Sequence, residues 1–165
     1  MTVSEYFVYA IGAALVDTEI DVSDNDLDQL SIEKGMMTLV DEARQAEIKD
    51  HLSDKLSLAN HACGGSAGNS VIAASQFGAP TYMSCLVAND EDGDIYITDL
   101  EACGVDHGFK GERSAGTTGK CLVLITPDAE RSMNTFLGVS ETLSVTEVNE
   151  AAISASTWVY LEGYL

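Results

Sequence analysis

Residues 6–17, YFVYAIGAALVD, open on a continuous apolar run that ends in glycine, the pattern of a strand buried on both faces. The next six residues, TEIDVS (18–23), alternate polar and apolar with period two, which predicts a strand with one wet face. DNDLDQLSIEKG predicts a short helix stopped by Gly35, and MMTLV (36–40) a return to strand. Asp41 is placed to cap a polar helix, EARQAEIKDHLSDK, in which acidic residues precede Lys49 and Lys55 as the helix dipole prefers. LSLANHA (56–62) predicts another half-exposed strand.

The glycine-rich GGSAGN (64–69) then leads into a helix from Ala67 to Phe77, with Val71, Ala74 and Phe77 near one face and Gly78 as the residue that ends it. PTYMSCLVA (80–88) predicts a buried strand, and NDEDGDIYITDLEACG a helix with an acidic first turn, Ile95 and Leu100 inward and Gly104 as terminator. TGKCLVLIT (118–126) and RSMNTFLG (131–138), joined by PDAE, predict a hairpin. Ser144 and Glu147 form an S-x-x-E capping box for a helix running to about Ser156, and WVYLEGYL closes the chain as an apolar strand. Buried strands alternating with helices predict an α/β sheet. The amphipathic segments near 18–23, 36–40 and 56–62 predict a small additional sheet with one exposed face. A parallel strand ending at Leu165 without a following helix would leave one sheet face bare, so the pattern predicts a piece of a larger protein.

Charge narrows the function classes. The formal net charge is −19, and the eight basic residues are scattered without a cluster. Nucleic-acid binding and anionic membrane surfaces are disfavoured, because both need Lys and Arg to neutralise phosphates. The acidic excess itself reads as solubility or a saline setting. A phosphate-bearing ligand would have to be met locally, by backbone N–H groups, a metal ion or a single arginine. No apolar run approaches the roughly 18–20 residues of a membrane span, and the amino terminus has no basic leader, so a cytoplasmic location is expected. Cys63, Cys85, Cys103 and Cys121 are widely spread without a C-x-x-C pair and are expected as reduced, mostly buried thiols.

Two candidate motifs fail. SAGTTGKC superficially matches a phosphate-binding P-loop, but Ser114 stands where the first glycine belongs, Cys121 follows Lys120, and the segment enters a strand. His61-Ala62-Cys63 lacks the further ligands a zinc site requires, and no G-x-S-x-G nucleophile elbow occurs. The third candidate is stronger. Gly64-Gly65-Ser66-Ala67-Gly68-Asn69 joins a strand to a helix, so unpaired backbone N–H groups lie beside the most permissive backbone in the chain. A close strand–helix contact would account for the glycines. A ligand approaching bare backbone would also, with the Asn69 amide offering a donor and an acceptor to hydroxyl groups.

GGSAGN, followed by AASQFG and DEDGD, resembles the first signature of the ribokinase-like (PfkB-type) carbohydrate kinases. GAALVD resembles that family's first strand and loop, and EKGMMTLVDEARQ, TPDAERSMNTFLG and YLEGYL resemble most the bacterial branch of adenosine and sugar kinases. The resemblance implies a Rossmann-like central sheet with flanking helices and a small β-sheet lid, truncated at its C-terminal side. The lid strands would fall within about 17–23, 36–41, 56–63 and 109–139. It implies ATP- and Mg2+-dependent phosphorylation of a primary hydroxyl of a sugar or nucleoside, with adenosine or a ribose-like acceptor, or a non-catalytic binding or dimerisation module on the same fold. Asp17, Gly64, Gly65, Asn69 and Glu162 are the implied acceptor contacts, with a turn-capping role as the alternative for Asp17 and a plain structural role for Glu162, and Arg131 is the implied phosphate contact or else an exposed hairpin arginine. Lid sheets pairing into a homodimer are a further implication. The family's Gly-Ala-Gly-Asp and Asn-x-x-Glu motifs, which supply the general base and help place magnesium, do not occur in residues 1–165, so the base is expected beyond Leu165 and the chain alone is expected to be inactive.

Overall fold

The computed structural model describes residues 5–109 and 113–163. Residues 110–112 of the expected 109–139 lid segment, and the last two residues of YLEGYL, lie outside the described residues. In chain order the elements are β1 (Tyr6–Ile11), β2 (Leu15–Asp21), α1 (Asp24–Gln29), β3 (Met37–Leu39), α2 (Glu42–His51), β4 (Asn60–Gly64), α3 (Ser66–Gln76), β5 (Thr81–Ser84), α4 (Glu91–Ala102), β6 (Val105–His107), β7 (Gly119–Ile125), β8 (Arg131–Phe136), α5 (Glu150–Ser154) and β9 (Ser156–Leu161). Short 3-10 turns occur at Leu56–Leu58, Gly138–Thr142 and Val145–Glu147. The chain divides into two compact units: Met1–Val16, Cys63–Gly119 and Leu137–Leu165 form one, and Asp17–Ala62 with Lys120–Phe136 form the other.

The first unit is built on a parallel sheet in the order β6-β5-β1-β9. β1 is apolar without alternation because both of its faces are covered. Ala10, with Val8 against it, belongs to the core that holds Val71 of α3 and Tyr96 and Leu100 of α4. Tyr9 and Ile11 point the other way, where Tyr9 stacks on Tyr82 at 5.3 Å and packs with Ala152 of α5. This second face is tied by polar bonds: the Asn149 amide donates to the Tyr9 hydroxyl and its side-chain NH2 to the Tyr82 hydroxyl, both at 2.9 Å. β9 is an edge strand in which Trp158, Val159, Tyr160 and Leu161 are all exposed.

The second unit is a mixed five-stranded sheet, β3-β8-β7-β2-β4, with β7 and β8 paired as the expected antiparallel hairpin and β3 parallel to β8. Ile20, Leu122 and Leu124 point inward against Leu27 and Leu30 of the α1 segment and Ile48 and Leu52 of the α2 segment. Gln45, buried on α2, donates to the main-chain carbonyls of Lys120 and Asn134 and so fastens the helix to the hairpin.

Several sequence expectations need correction. The run 6–17 is two strands broken at residues 12–14, and the second continues directly through the alternating segment. The first helix ends at Gln29 rather than Gly35, because Ser31 already adopts a left-handed φ of 53°. Residues 56–58 are a 3-10 turn, so only the end of LSLANHA is strand. Phe77 is 93% exposed and does not share the buried face of α3. The Ser144–Glu147 capping box is real but closes a three-residue 3-10 turn, and the helix after it is a separate one capped by Asn149. The cysteines form no disulfide among the described residues, with Cys63, Cys85 and Cys121 buried as expected and Cys103 half-buried.

Candidate functional site

In the first unit, the glycines read from the sequence answer to packing as well as to turn chemistry. Gly65 caps α3 at φ 83°, and a Cβ there would come within 2.6 Å of the Ala13 carbonyl oxygen. Only glycine satisfies both conditions. Gly64 ends β4 and is buried. Gly68 leaves room for the Tyr96 hydroxyl, which would stand 2.7 Å from a Cβ at that position. Asn69 is exposed in the first turn of α3, its main-chain N–H donating to the Gly65 carbonyl at 2.9 Å.

Glu162, expected as an acceptor contact, is only 6% exposed. Its Oε2 accepts the Ala67 main-chain N–H at 3.2 Å, so it is brought to the same turn as Gly65 and Asn69. Burial raises its carboxyl above the ordinary value, opposed by hydrogen bonds from Ala67, Ser66 and Ala13. DEDGD, read as part of the family signature, serves the start of α4. Asp90 accepts from the Gly93 amide at 2.9 Å and from the Thr118 amide at 2.8 Å, and Arg113 donates to Asp94 at 2.6 Å.

Tyr96 is a residue that the sequence reading missed at this turn. It is fully buried under Gly68, and its hydroxyl finds no hydrogen-bonding nitrogen or oxygen among the described residues, facing instead the weakly accepting thiols of Cys63 and Cys85. Burial pushes both the Tyr96 phenol and the Cys85 thiol well up, so neither ionises near neutral pH. Removing a buried hydroxyl with no strong partner costs little. Tyr96→Phe is expected to change urea-unfolding stability by less than about 1 kcal/mol, and a larger loss would reveal a partner for that hydroxyl.

In the second unit, Asp17 lies on β2 and is half-buried. Burial raises its carboxyl from 3.8 to about 6, with the Arg131 guanidinium opposing the rise and Glu19 adding to it. The Asp17 carboxylate accepts no hydrogen bond among the described residues. Arg131, at the start of β8, lies 3.8 Å from Glu19. Beside them the Cys121 thiol accepts a hydrogen bond from the Thr135 hydroxyl at 3.3 Å and is pushed up to about 11, chiefly by burial. Cys121 and Thr135 were missed in the sequence. The signal that finds them is the hairpin register, which pairs Cys121 with Thr135 and leaves Arg131 and Thr135 on one face.

The structure therefore gathers Gly64, Gly65, Asn69 and Glu162 around the start of α3 in one unit, and Asp17 and Arg131 on the sheet of the other. The His61-Ala62-Cys63 stretch is divided likewise. His61 Nδ1 pairs with the Thr18 hydroxyl at 3.1 Å, while Cys63 enters the core of the first unit. Among the described residues no group of three or more His, Cys, Asp or Glu side chains could hold a metal ion. Nor is any described helix long and apolar enough to cross a membrane.

Solved structures share the fold over essentially the whole chain. A probable sugar kinase from Rhizobium etli CFN 42 matches with a TM-score of 0.89 and 33% identity over 100% of this chain and 48% of its own. The adenosine kinase of Sinorhizobium meliloti matches at 0.88 and 34% identity over 98% of this chain and 48% of its own. The adenosine kinase of Schistosoma mansoni in complex with adenosine, at 23% identity and a TM-score of 0.80 over 94% of this chain and 46% of its own, shares the fold. The chain thus spans about half the length of the structures it matches. No curated protein matches it. The ribokinase-like α/β fold expected from the motifs is the fold observed, the model of the pfkB family carbohydrate kinases matches residues 31–165, and the chain belongs to that family.

Proposed function

We propose that these residues supply the acceptor-binding part of an ATP-dependent kinase that phosphorylates a primary hydroxyl of a sugar or nucleoside, adenosine or a ribose-like molecule. The observation that carries this reading is Asp17, a carboxylate withdrawn from water yet without a hydrogen bond among the described residues. Ionised, it can accept from two vicinal hydroxyls at once, and in the other unit the exposed Asn69 amide offers hydroxyls a donor and an acceptor. Gly64 and Gly65, just after the division between units at Ala62 and Cys63, give the sheet of the second unit freedom to act as a lid. Lid closure excludes water that would otherwise compete for the phosphoryl group. Arg131 would face the transferred phosphate, where a planar guanidinium suits the charge.

Magnesium, which the family implies beside ATP, finds no group of ligands among the described residues. When bound, the metal would neutralise charge on the phosphates. The proton-abstracting aspartate of the Gly-Ala-Gly-Asp motif is not among the 165 residues, so transfer itself is proposed for a longer polypeptide. The cytoplasm, which supplies ATP and keeps free thiols reduced, is the setting that suits the chain. The alternative reading, a non-catalytic binding or dimerisation module on the same fold, shares the acceptor site but not the transfer. Phosphoryl transfer by the longer polypeptide separates the two.

The first test is a thermal melt with and without adenosine or ribose. A ligand at 100 times its Kd adds about 2.7 kcal/mol of stability, so the melt should move up by several degrees for one of the two. No shift with either at millimolar concentration overturns the acceptor reading.

A further inference from the structure

Glu162 lies just past β9, with its main-chain N–H bonded to the Ile11 carbonyl at 3.0 Å, and its side chain is buried against the start of α3. There Oε2 takes the Ala67 amide at 3.2 Å, and Ser66 and Ala13 add to the groups that favour its charged form. Gly12 has no side chain because a Cβ would collide with this same oxygen and with the Ala67 methyl. One carboxylate therefore joins the end of β1, the turn after it, the end of β9 and the first turn of α3.

An 11-residue helix such as α3 leaves its first amides unpaired and carries partial positive charge at that end. Ligand sites commonly use such an end to hold an anion. In this chain a buried carboxylate of its own already occupies it, and another anion brought there would meet like charge in a medium of low dielectric.

We propose that Glu162 is a positioning residue that closes the start of α3 to anions and holds Gly65 and Asn69 for a neutral, hydroxyl-bearing acceptor, so that a phosphorylated sugar is refused at that end of the site. The ligand half of this inference rests on the acceptor reading above. The locking half does not.

Two variants separate the halves. Glu162→Gln keeps an oxygen that can accept the Ala67 amide but removes the charge, whereas Glu162→Ala removes both. Amide hydrogen exchange on the unliganded chain should show Ala67 protected in the parent and in Glu162→Gln, and exchanging at least about tenfold faster in Glu162→Ala. Calorimetric titration with adenosine, ribose and ribose 5-phosphate should show the parent binding a neutral acceptor and refusing ribose 5-phosphate. Glu162→Gln should bind ribose 5-phosphate at least about tenfold more tightly than the parent does. An unprotected Ala67 in the parent, or unchanged exchange in Glu162→Ala, overturns the lock. Ribose 5-phosphate binding the parent as well as ribose does, or failing to gain in Glu162→Gln, overturns the exclusion. If no neutral acceptor binds the parent, the acceptor reading and the exclusion both fall, and the exchange arm still decides the lock. Should Glu162→Ala fail to fold, the parent alone decides the lock: a protected Ala67 amide supports it and an unprotected one overturns it.

Discussion

Asp17→Asn is expected to make the chain more stable at neutral pH and at the same time to destroy its grip on an acceptor. The signs follow from the carboxyl, which is raised from 3.8 to about 6 chiefly by burial. Between those two pH values the folded state keeps a proton that the unfolded chain has given up, so stability falls as pH rises through this window. Above it the full cost of the buried charge stands; below it the cost vanishes. A shift of about two pKa units corresponds to ~3 kcal/mol, which partial solvent contact reduces to about 1–2 kcal/mol. Asparagine fits the same space without the charge. The variant should therefore unfold at higher urea than the parent at pH 7.5 and at the same urea near pH 3.5.

Binding runs the other way. Hydrogen bonds to a charged group contribute about 1.5–3 kcal/mol each, so losing two costs an acceptor at least about 100-fold in affinity. In the parent, affinity should climb as pH rises through about 6, the point where Asp17 ionises, and flatten above it. In the variant the profile should be flat. Asp17→Asn that binds normally, or that melts below the parent at pH 7.5, would remove Asp17 from the site.

The second large effect is expected at Gly12. A Cβ there would overlap both the Glu162 carboxylate and the Ala67 methyl, and would approach Glu162 Cβ at 3.0 Å. None of these is the loose end of an exposed side chain. Overpacking of this kind costs about 1–3 kcal/mol, and Gly12→Ala should sit at the upper end because the first turn of α3 must move with the carboxylate. Gly163→Ala is the matched control, since a Cβ there meets nothing within 4 Å. It should be neutral. Combining Gly12→Ala with Glu162→Ala should recover part of the loss, because the oxygen that collides is gone; a double-mutant cycle reads that coupling directly. Strict additivity would mean that the crowding at Gly12 does not run through Glu162.

Apart from β6, a three-residue strand that the sequence reading did not predict, strand and helix order was legible wherever one face, or both, had to be buried. The unbroken apolar run of β1 announced a sheet covered on both sides, and the alternation of Glu19, Ile20 and Asp21 a sheet covered on one. The Asp41 cap was legible as well, because it acts on an amide three residues away. Where the reading failed, the deciding group was distant or the signal was too local. The Ser144–Glu147 box formed as written, but a capping box stabilises a first turn and does not specify how far the helix runs. Phe77 matched the periodicity of α3 and still faces solvent, because α3 ends at Gln76 and nothing packs beyond it.

For the candidate site, the sequence by itself determined the residue types and the permissive backbone: Asp17, Asn69, the paired glycines and the signature that marks the family. Local chain stiffness and turn chemistry act over a few residues, and those are written in order along the chain. Only the tertiary structure decided what each group is free to do. Glu162 is committed to Ala67, 95 residues away in sequence, while burial holds the Asp17 carboxyl near 6 without giving it a hydrogen bond among the described residues. Desolvation and long-range hydrogen bonding depend on what folds against a residue, and that is set by the whole chain rather than by its neighbours in sequence.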